Sequence, residues 1–333
     1  MRRIFYFFYY LYKINFAELF RLIKFVRTNY KKNYADLLCD LIYCSFKYNI
    51  SILEYFYFKF YLNKEHSERN KWAGTGFMFE YQRKMNPSKY RKVLANKILF
   101  NNKFKAFIGR NYYTLKELKQ EKEKTEIILK NKIGKLVLKN SKGQAGREVL
   151  VLQVNNICYN KLLTIMSQKG FDLLEEYIIQ HPVMEKLSAS AINTVRIITQ
   201  EEKGNITIIA ARLRISINST VDNLAAGNAA APVDIESGKV TGPAVFTDIT
   251  KEEIIQHPIT GTYIIGFQIP FWSDIKTLVT ETASMIPENR SIGWDVAITP
   301  TGPILIEGNH NWCKLLWQLP VKKGLKAELE KYL

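Results

Sequence analysis

The sequence predicts an α+β protein whose first part is helical and whose second part is rich in β-strands. Residues 1–70 contain few glycines or prolines and many aromatic side chains, which favours packed helices. From Gly134 onward, short β-like runs are divided by Gly, Asn and Pro, which is typical of strands and turns. A chain of 333 residues that is 47% hydrophobic is long enough for one large domain or for two to three lobes.

Charge divides the chain in the same way. Residues 1–150 carry 32 basic and 12 acidic side chains, a net charge of +20, whereas residues 151–333 carry 16 and 19, a net charge of −3. The hydrophobic content excludes a wholly disordered chain, and four cysteines are too few for a small disulfide scaffold. We therefore expect the two halves to have different roles.

The first residues predict neither export nor a membrane span. The apolar run from Ile4 to Tyr12 is short, rich in Tyr and ended by Lys13, and no small-residue cleavage site follows. A spanning helix needs ~20 apolar residues. Cys39 and Cys44 lie in an apolar stretch and are expected to be buried thiols, which fits a reducing cytoplasm.

Residues 14–27 predict an amphipathic helix with a narrow polar stripe. Its polar residues recur at intervals of three: Asn15, Glu18, Arg21, Lys24 and Arg27. The favoured interpretation is a helix packed on the rest of the protein. The alternative is a basic, aromatic helix that docks on an anionic membrane or on a membrane-bound partner. Nucleic-acid binding by base stacking ranks last, because no recognised module signature is present.

The remaining segments alternate between loops, helices and strands. Gly74, Gly76 and Pro87 predict a loop or crossover over residues 71–92, and Lys116–Lys132 predicts one or two solvated helices. Residues 222–242 are rich in Ala, Gly and Pro and predict a long loop. The predicted strands are Lys135–Lys139, Glu148–Val154, Leu173–Ile179, Thr194–Thr199, Ile206–Ile215, Trp294–Thr299 and Ile304–Glu307.

A small-residue loop follows the strand that ends at Lys139. Gly143 and Gly146 permit a tight backbone whose amide groups could meet phosphate oxygens. A second strand follows, so this is not a P-loop, which leads into a helix. Taken alone, the segment is more typical of a plain hairpin than of a phosphate loop.

Two further groups of charged residues lie on predicted strands. Glu175 and Glu176 are adjacent and therefore point to opposite faces, so one can face solvent while the other lines a cleft. Arg212 and Arg214 are two apart and share a face, and Arg196 lies on another strand. Neighbouring guanidinium groups suit carboxylate or phosphate binding, but a half-exposed sheet would also carry such a pair.

The most informative segment is the hairpin formed by residues 293–309. A turn centred on residue 301 would set Asp295 opposite Glu307 with their Cβ atoms ~5 Å apart. Asn309 lies two residues after Glu307 and shares its face. Two carboxylates and an amide that face one way repel each other unless a cation lies between them, and oxygen ligands suit Mg²⁺. We favour this metal site over two exposed acids on a hairpin.

Taken together, these segments resemble the sugar-transfer-associated ATP-grasp family, which is related to glutamate ligases. The resemblance covers roughly residues 95–320 and is densest in the motifs EEYIIQHP (175–182), INTVRIIT (192–199) and GWDVAITPTGPILIEGN (293–309). It implies an ATP-grasp fold in which two α+β lobes, residues 95–180 and 181–333, sandwich ATP. A helical, aromatic-rich region, residues 1–94, would precede them.

The resemblance also implies roles for individual residues. The implied nucleotide contacts are Lys97 and Lys139, the closing loop with Ser141, Gly143 and Gly146, and a hinge formed by Glu175, Glu176, Tyr177 and Ile178. The implied ligands of one or two Mg²⁺ ions are Asp295, Glu307 and Asn309. Arg196 and Arg212 would stabilise phosphate charge during catalysis, and Arg214, Asp222 and Asn223 would contact substrate. Asn140 and Asn228 depart from the residues expected at their positions, which leaves the loop conformations open.

The implied activity is an ATP- and Mg²⁺-dependent carboxylate–amine ligation through an acyl phosphate. The expected substrate is a uronic acid or similar carboxylate of a cell-surface polysaccharide or its precursor, joined to an amino acid or amine. The alternatives are an ATP-grasp phosphotransferase and a non-catalytic nucleotide-binding partner of a glycan-synthesis complex. The expected location is the cytoplasm, with residues 1–94 as a docking region for the inner membrane face or for a glycosyltransferase.

Overall fold

The computed structural model describes residues 2–143, 149–219, 224 and 227–333, and these residues form helices packed around two antiparallel sheets. The strands are β1 (Tyr112–Thr114), β2 (Lys135–Lys139), β3 (Val149–Gln153), β4 (Leu173–Glu176), β5 (Thr194–Glu202), β6 (Asn205–Ile215), β7 (Ala229–Val233), β8 (Ser291–Thr299) and β9 (Gly302–Asn309). The helices are α1 (Arg2–Lys13), α2 (Phe16–Tyr30), α3 (Tyr34–Tyr48), α4 (Glu54–Tyr57), α5 (His66–Asn70), α6 (Thr75–Met85), α7 (Lys92–Ala95), α8 (Lys97–Lys103), α9 (Leu115–Gln120), α10 (Lys122–Leu129), α11 (Tyr159–Lys169), α12 (Pro182–Leu187), α13 (Trp272–Ser284), α14 (Lys314–Gln318) and α15 (Lys326–Glu330).

The N-terminal helices pack on the second half of the chain. Asn15 and Asn33 cap α2 and α3, since each side-chain oxygen accepts a hydrogen bond from a backbone amide of the first turn. Their apolar faces form one buried cluster with the α4 region, and Val245, Ile249 and Leu315 pack against it. The helix predicted over residues 14–27 is therefore a packed helix along its apolar face, as the favoured interpretation expected.

The first sheet has the strand order β1-β4-β2-β3, and α9, α10 and α11 supply apolar side chains to its core. The second sheet has the order β7-β6-β5-β8-β9. The apolar side of α13 packs in one core cluster with alternate residues of β5 and β8, such as Ile197 and Trp294. The intervening residues of β5 and β8 therefore project from the opposite face of this sheet.

Several predicted elements differ from the observed ones. The structure has a helix, α6, within residues 71–92, where the sequence predicted a loop, and it forms β7 within the loop predicted over residues 222–242. The short strand β1 was not predicted. Cys44 is buried as expected, but Cys39 is exposed. Within the described residues, no helix is both long and apolar enough to cross a membrane.

Candidate active site

Both sheets contribute to one large cavity. Its volume is about 1070 Å³, and its lining includes residues of β2, β3 and β4 from the first sheet and of β5, β6, β8 and β9 from the second. The N-terminal region also reaches it, because Arg21 and Tyr57 line the same cavity. The cavity is therefore the place where the charged residues of both sheets can act on one ligand.

A row of charged side chains crosses the second sheet on the cavity side. The strand register pairs Arg212 with Arg196, Arg196 with Asp295, and Asp295 with Glu307. Directly paired residues have their Cβ atoms ~5 Å apart on the same face of an antiparallel sheet. The row therefore runs from two arginines to two carboxylates, across four adjacent strands.

Asp295 is held by two guanidinium groups. Its Oδ1 accepts a hydrogen bond from Arg196 Nε at 2.5 Å, and its Oδ2 accepts one from Arg214 Nη1 at 2.7 Å. Burial alone would raise the pKa of this carboxyl, but the two arginines lower the pKa well below its usual range. Asp295 therefore stays ionised at neutral pH.

Glu307 lies beside this ion pair, but nearby cations stabilise its negative charge less than they stabilise that of Asp295. Burial and the charge of Asp295 raise the pKa of the Glu307 carboxyl, while Arg196, a hydrogen bond from Asn309 and Lys97 oppose the rise. Asn309 Nδ2 donates to Glu307 Oε1 at 3.1 Å. Burial and the neighbouring Asp295 carboxylate thus disfavour the ionised form of Glu307, and a cation at this position would stabilise that form.

The hairpin brings the two carboxylates together in a way that the sequence predicted only in part. Thr299 pairs with Gly302, so the turn is centred half a residue before the expected position. An irregularity between Asp295 and Val296 shifts the register and restores the Asp295–Glu307 pair. The oxygen donors Asp295, Glu307 and Asn309 fit Mg²⁺, which takes few protein ligands and completes its shell with water and phosphate. Among the described residues, no group of three or more His, Cys, Asp or Glu side chains could form a richer site.

The opposite side of the cavity carries a buried ion network around Glu175. Lys139 Nζ donates to Glu175 Oε2 at 2.6 Å, and Arg110 Nε donates to the same oxygen at 2.9 Å. Asn101 Nδ2 donates to Oε1 at 2.9 Å. These cations lower the pKa of Glu175 below its usual range despite complete burial. The side chain of Glu175 therefore holds Lys139 and Arg110 in place, and the nucleotide contact expected of Glu175 as part of the hinge stays a prediction.

Arg110 joins this network to strand β9, which carries Glu307 and Asn309. Its Nη1 donates to the carbonyl oxygen of Leu305 on β9 at 2.7 Å, while its other nitrogens bind Glu175. Leu305 lies two residues before Glu307. Sequence reasoning missed Arg110 and Asn101, because neither lies in a motif, and only the fold brings them to Glu175.

The loop after Lys139 is anchored at its start. Ser141 is buried, and both its amide and its hydroxyl donate to the Asp172 carboxylate at 2.6 Å. Its predicted phosphate contact is therefore not supported, because its donors are already used. Lys97 Nζ donates to the carbonyl oxygens of Asn140 and Gly143, and Lys97, Lys139 and Gly143 line the cavity.

The predicted hinge follows β4 and leads toward the second sheet. Glu176 binds the Asn111 amide at 3.0 Å, and Ile178 packs against Ala297 and Ile304 of the β8–β9 hairpin. Tyr177 lies under the ammonium group of Lys135. Glu176, Tyr177 and Ile178 all line the cavity, which is compatible with the expected nucleotide contact.

Arg212 does not join the cavity. Its Nε and Nη2 donate to the carbonyl oxygen of Trp317 at 3.0 and 2.6 Å, and its Nη1 donates to the carbonyl oxygen of Ala211. Burial lowers its pKa to about 10. The side chain thus fastens the C-terminal segment to the sheet, which contradicts the catalytic role implied for it. Gly146, Asp222 and Asn223 lie outside the described residues.

The comparisons with known proteins agree with this arrangement. The model of the family described as sugar-transfer associated ATP-grasp matches residues 77–332. The chain belongs to this family. The match confirms the resemblance drawn from the sequence, although it begins earlier than the expected residue 95. No curated protein sequence matches.

Solved structures with a similar arrangement are distant. The ATP-grasp ligase PsnB, complexed with a precursor variant, Mg and ADP, has a TM-score of 0.43 and 9% identity, with coverage of 74% of this chain and 61% of that one. D-Ala–D-Ala ligase from Helicobacter pylori has a TM-score of 0.41 and 12% identity, covering 72% and 61%. L-amino acid ligase from Bacillus licheniformis has a TM-score of 0.38 and 13% identity, covering 66% and 41%. This chain thus spans less than two thirds of each, and at these scores the similarities carry no argument about substrates.

Proposed function

We propose that the protein is an ATP- and Mg²⁺-dependent carboxylate–amine ligase. One observation carries the proposal: the Arg196–Asp295–Glu307 row on one sheet and the Lys139–Glu175 pair on the other line the same cavity. Phosphoryl transfer from ATP needs positive charge around the phosphates and a divalent cation held by a small number of carboxylates. Membership of the sugar-transfer associated ATP-grasp family supports the proposal.

The residues divide into two groups by charge. Lys97 and Lys139 would neutralise the phosphates of ATP, and Asp295, Glu307 and Asn309 would hold Mg²⁺. When bound, Mg²⁺ would supply charge neutralisation at the phosphate oxygens. Arg196 and Arg214 lie next to Asp295 and would orient the carboxylate substrate beside the γ-phosphate.

The reaction would then proceed in two steps. A carboxylate oxygen attacks the γ-phosphorus, the bond to the ADP oxygen breaks, and an acyl phosphate forms. The nitrogen of the amine attacks the acyl carbon, the bond from that carbon to the phosphate oxygen breaks, and the amine proton leaves to solvent. Exclusion of water from the cavity during the reaction would favour this sequence, because water would hydrolyse the acyl phosphate.

We further propose that the carboxylate belongs to a uronic acid or similar unit of a cell-surface polysaccharide or its precursor. The description of the family as sugar-transfer associated supports this choice. The amine would be an amino acid or another small amine. A cytoplasmic location, with residues 1–94 docking the enzyme on the inner membrane face or on a glycosyltransferase, would bring it to such a precursor.

Hydroxylamine provides the test, because it traps an acyl phosphate as a coloured hydroxamate. The protein should release ADP and form hydroxamate with at least one member of a panel of uronic acids and amino acids. Glu307→Gln should abolish both signals, whereas Glu288→Gln, the same change at an exposed residue outside the cavity, should retain them. A phosphorylated product without hydroxamate would favour the phosphotransferase. Full function in cells with Glu307→Gln would favour the non-catalytic partner.

A further inference from the structure

An exposed aromatic face covers the outer side of α1 and the start of α2. The exposed apolar side chains recur at helical spacing and are Ile4, Phe5, Phe8, Tyr9, Tyr12, Phe16 and Phe20. Phe5 is 73% and Tyr12 is 81% accessible, although the opposite side of α1 packs into the N-terminal core through Tyr10. Contiguous apolar surface of this kind marks a site of interaction with a protein or a membrane.

A basic groove continues this aromatic face along α2. Phe16, Phe20, Lys24 and Arg27 follow each other at intervals of three or four residues, so they form one stripe along α2, and Lys31 directly follows the end of this helix. The groove has a volume of about 710 Å³, and the residues that line it are Phe20, Ile23, Lys24, Arg27, Thr28, Lys31, Lys32 and Tyr34.

The charge of the groove is uncompensated. Four of its lining residues are cationic, and no acidic side chain lines it. Within the part of the chain that the structure describes, none of the four forms an ion pair, and the Arg27 guanidinium lies over the ring of Tyr34, 5.4 Å from its centroid. By contrast, Arg21 on the neighbouring stripe is paired with Glu18 and Asp248. The groove therefore offers four cations to an external anion.

We propose that this face binds the surface of an anionic lipid bilayer. The aromatic side chains would enter the boundary between head groups and acyl chains, and the cations of the groove would lie at the level of the lipid phosphates. Charge complementarity favours a bilayer over a second copy of the chain, since two copies of a groove with four uncompensated cations repel each other. The inference specifies the docking role proposed above, but it does not depend on the ligase activity.

The bilayer would then lie close to the cavity, because α2 contributes residues both to the cavity wall and to the basic groove. Glu18 and Arg21 line the cavity, while Phe20 and Lys24 line the basic groove, and all four belong to the same two turns of α2. A substrate anchored in the membrane could therefore reach the cavity along one helix.

Vesicle sedimentation tests the proposal with the full chain and without ATP or acceptor. The wild-type protein should sediment with vesicles of phosphatidylglycerol and phosphatidylcholine, should not sediment with phosphatidylcholine alone, and should dissociate at high salt. The groove variant Lys24→Gln, Arg27→Gln, Lys31→Gln, Lys32→Gln should lower the partition coefficient about 600-fold, because each of the four cations near an anionic surface contributes roughly a fivefold factor. The face variant Phe5→Gln, Phe8→Gln, Tyr12→Gln should lower it about 10-fold or more.

Two matched variants serve as controls. Lys116→Gln, Lys119→Gln, Lys130→Gln, Lys132→Gln makes the same charge change at exposed residues elsewhere, and Ile255→Gln, Ile259→Gln, Tyr263→Gln removes exposed apolar groups elsewhere. Both should bind vesicles as the wild-type protein does. The proposal would be overturned if the groove variant and the face variant bound anionic vesicles as tightly as the wild-type protein does. A wild-type protein that showed no preference for anionic vesicles would also overturn it. If the wild-type protein formed a dimer in solution without binding vesicles, and only the face variant dissociated that dimer, the aromatic face would instead bind a second copy of the chain.

Discussion

Replacing the two paired carboxylates should change the stability of the ligand-free protein in opposite directions. Asp295 is the counter-charge of Arg196 and Arg214, at 2.5 and 2.7 Å. Asp295→Asn removes the carboxylate that pairs with two buried guanidinium groups, a change that costs roughly 3–5 kcal/mol for a buried pair. Because Asp295 lines a cavity rather than the packed core, we expect about 3 kcal/mol, which corresponds to a fall in Tm of roughly 6 °C for a large domain.

Glu307 has the opposite effect because its pKa is raised. A carboxyl whose pKa is higher in the folded state contributes stability while it is protonated, and that stability is lost as the pH rises above its unfolded value, near 4.5. Wherever Glu307 is ionised in the absence of a cation, its charge therefore destabilises the fold. Glu307→Gln should remove this cost and raise the Tm.

Calorimetric unfolding in the presence of a chelator measures both effects. At neutral pH the Tm should rank Glu307→Gln above wild type and wild type above Asp295→Asn. The advantage of Glu307→Gln should shrink as the pH falls toward the ordinary range of a Glu carboxyl, because protonation of the wild-type side chain removes the same cost. A fall in Tm for both variants would refute the conclusion that the charge of Glu307 destabilises the ligand-free fold.

Three further predictions concern the cation network. Lys139→Ala should weaken ATP binding about 10-fold or more in a titration, whereas Lys132→Ala, at an exposed residue, should leave it unchanged. Equal ATP affinities of Lys139→Ala and wild type would count against a role of Lys139 at the phosphates. Glu175→Gln should lower the Tm by roughly 6 °C and weaken ATP binding, because it removes the carboxylate that pairs with Lys139 and Arg110. A lower Tm with unchanged ATP affinity would show that Glu175 does not act on the nucleotide site. Arg212→Ala should lower Tm while ATP affinity stays within about twofold, since its hydrogen bonds hold Trp317; a selective loss of turnover would restore its catalytic role.

The β8–β9 hairpin, which carries Asp295 and Glu307, was the part of the site most open to prediction from the sequence. The Pro-Thr-Gly turn and the alternation of apolar residues together brought Asp295 opposite Glu307. The irregularity that restores their register could not be predicted, because it depends on how β9 packs on the rest of the sheet. The strand β7 was missed for a related reason: its Ala- and Pro-rich sequence has low strand propensity, and long-range pairing with β6, Val240 and Val245 stabilises it.

The limits of prediction are clearest for the arginines. Arg212 and Arg214 share a face by alternation, as expected, but the backbone of Trp317 covers Arg212, so that only Arg214 lines the cavity. Likewise, nothing in the sequence near Arg110 indicates that it binds Glu175, which is far along the chain. Convergence of buried charges depends on the tertiary fold, and no local pattern encodes it.

The most direct measurement is a calorimetric titration of ADP into the protein with and without Mg²⁺. The central claim is that Asp295, Glu307 and Asn309 hold Mg²⁺ against the nucleotide phosphates. Wild type should bind ADP at least about 10-fold more tightly with Mg²⁺ than without it. Glu307→Gln should lose that difference while retaining the affinity measured without metal, and Glu288→Gln should behave as wild type. An undiminished Mg²⁺ effect in Glu307→Gln would contradict the claim.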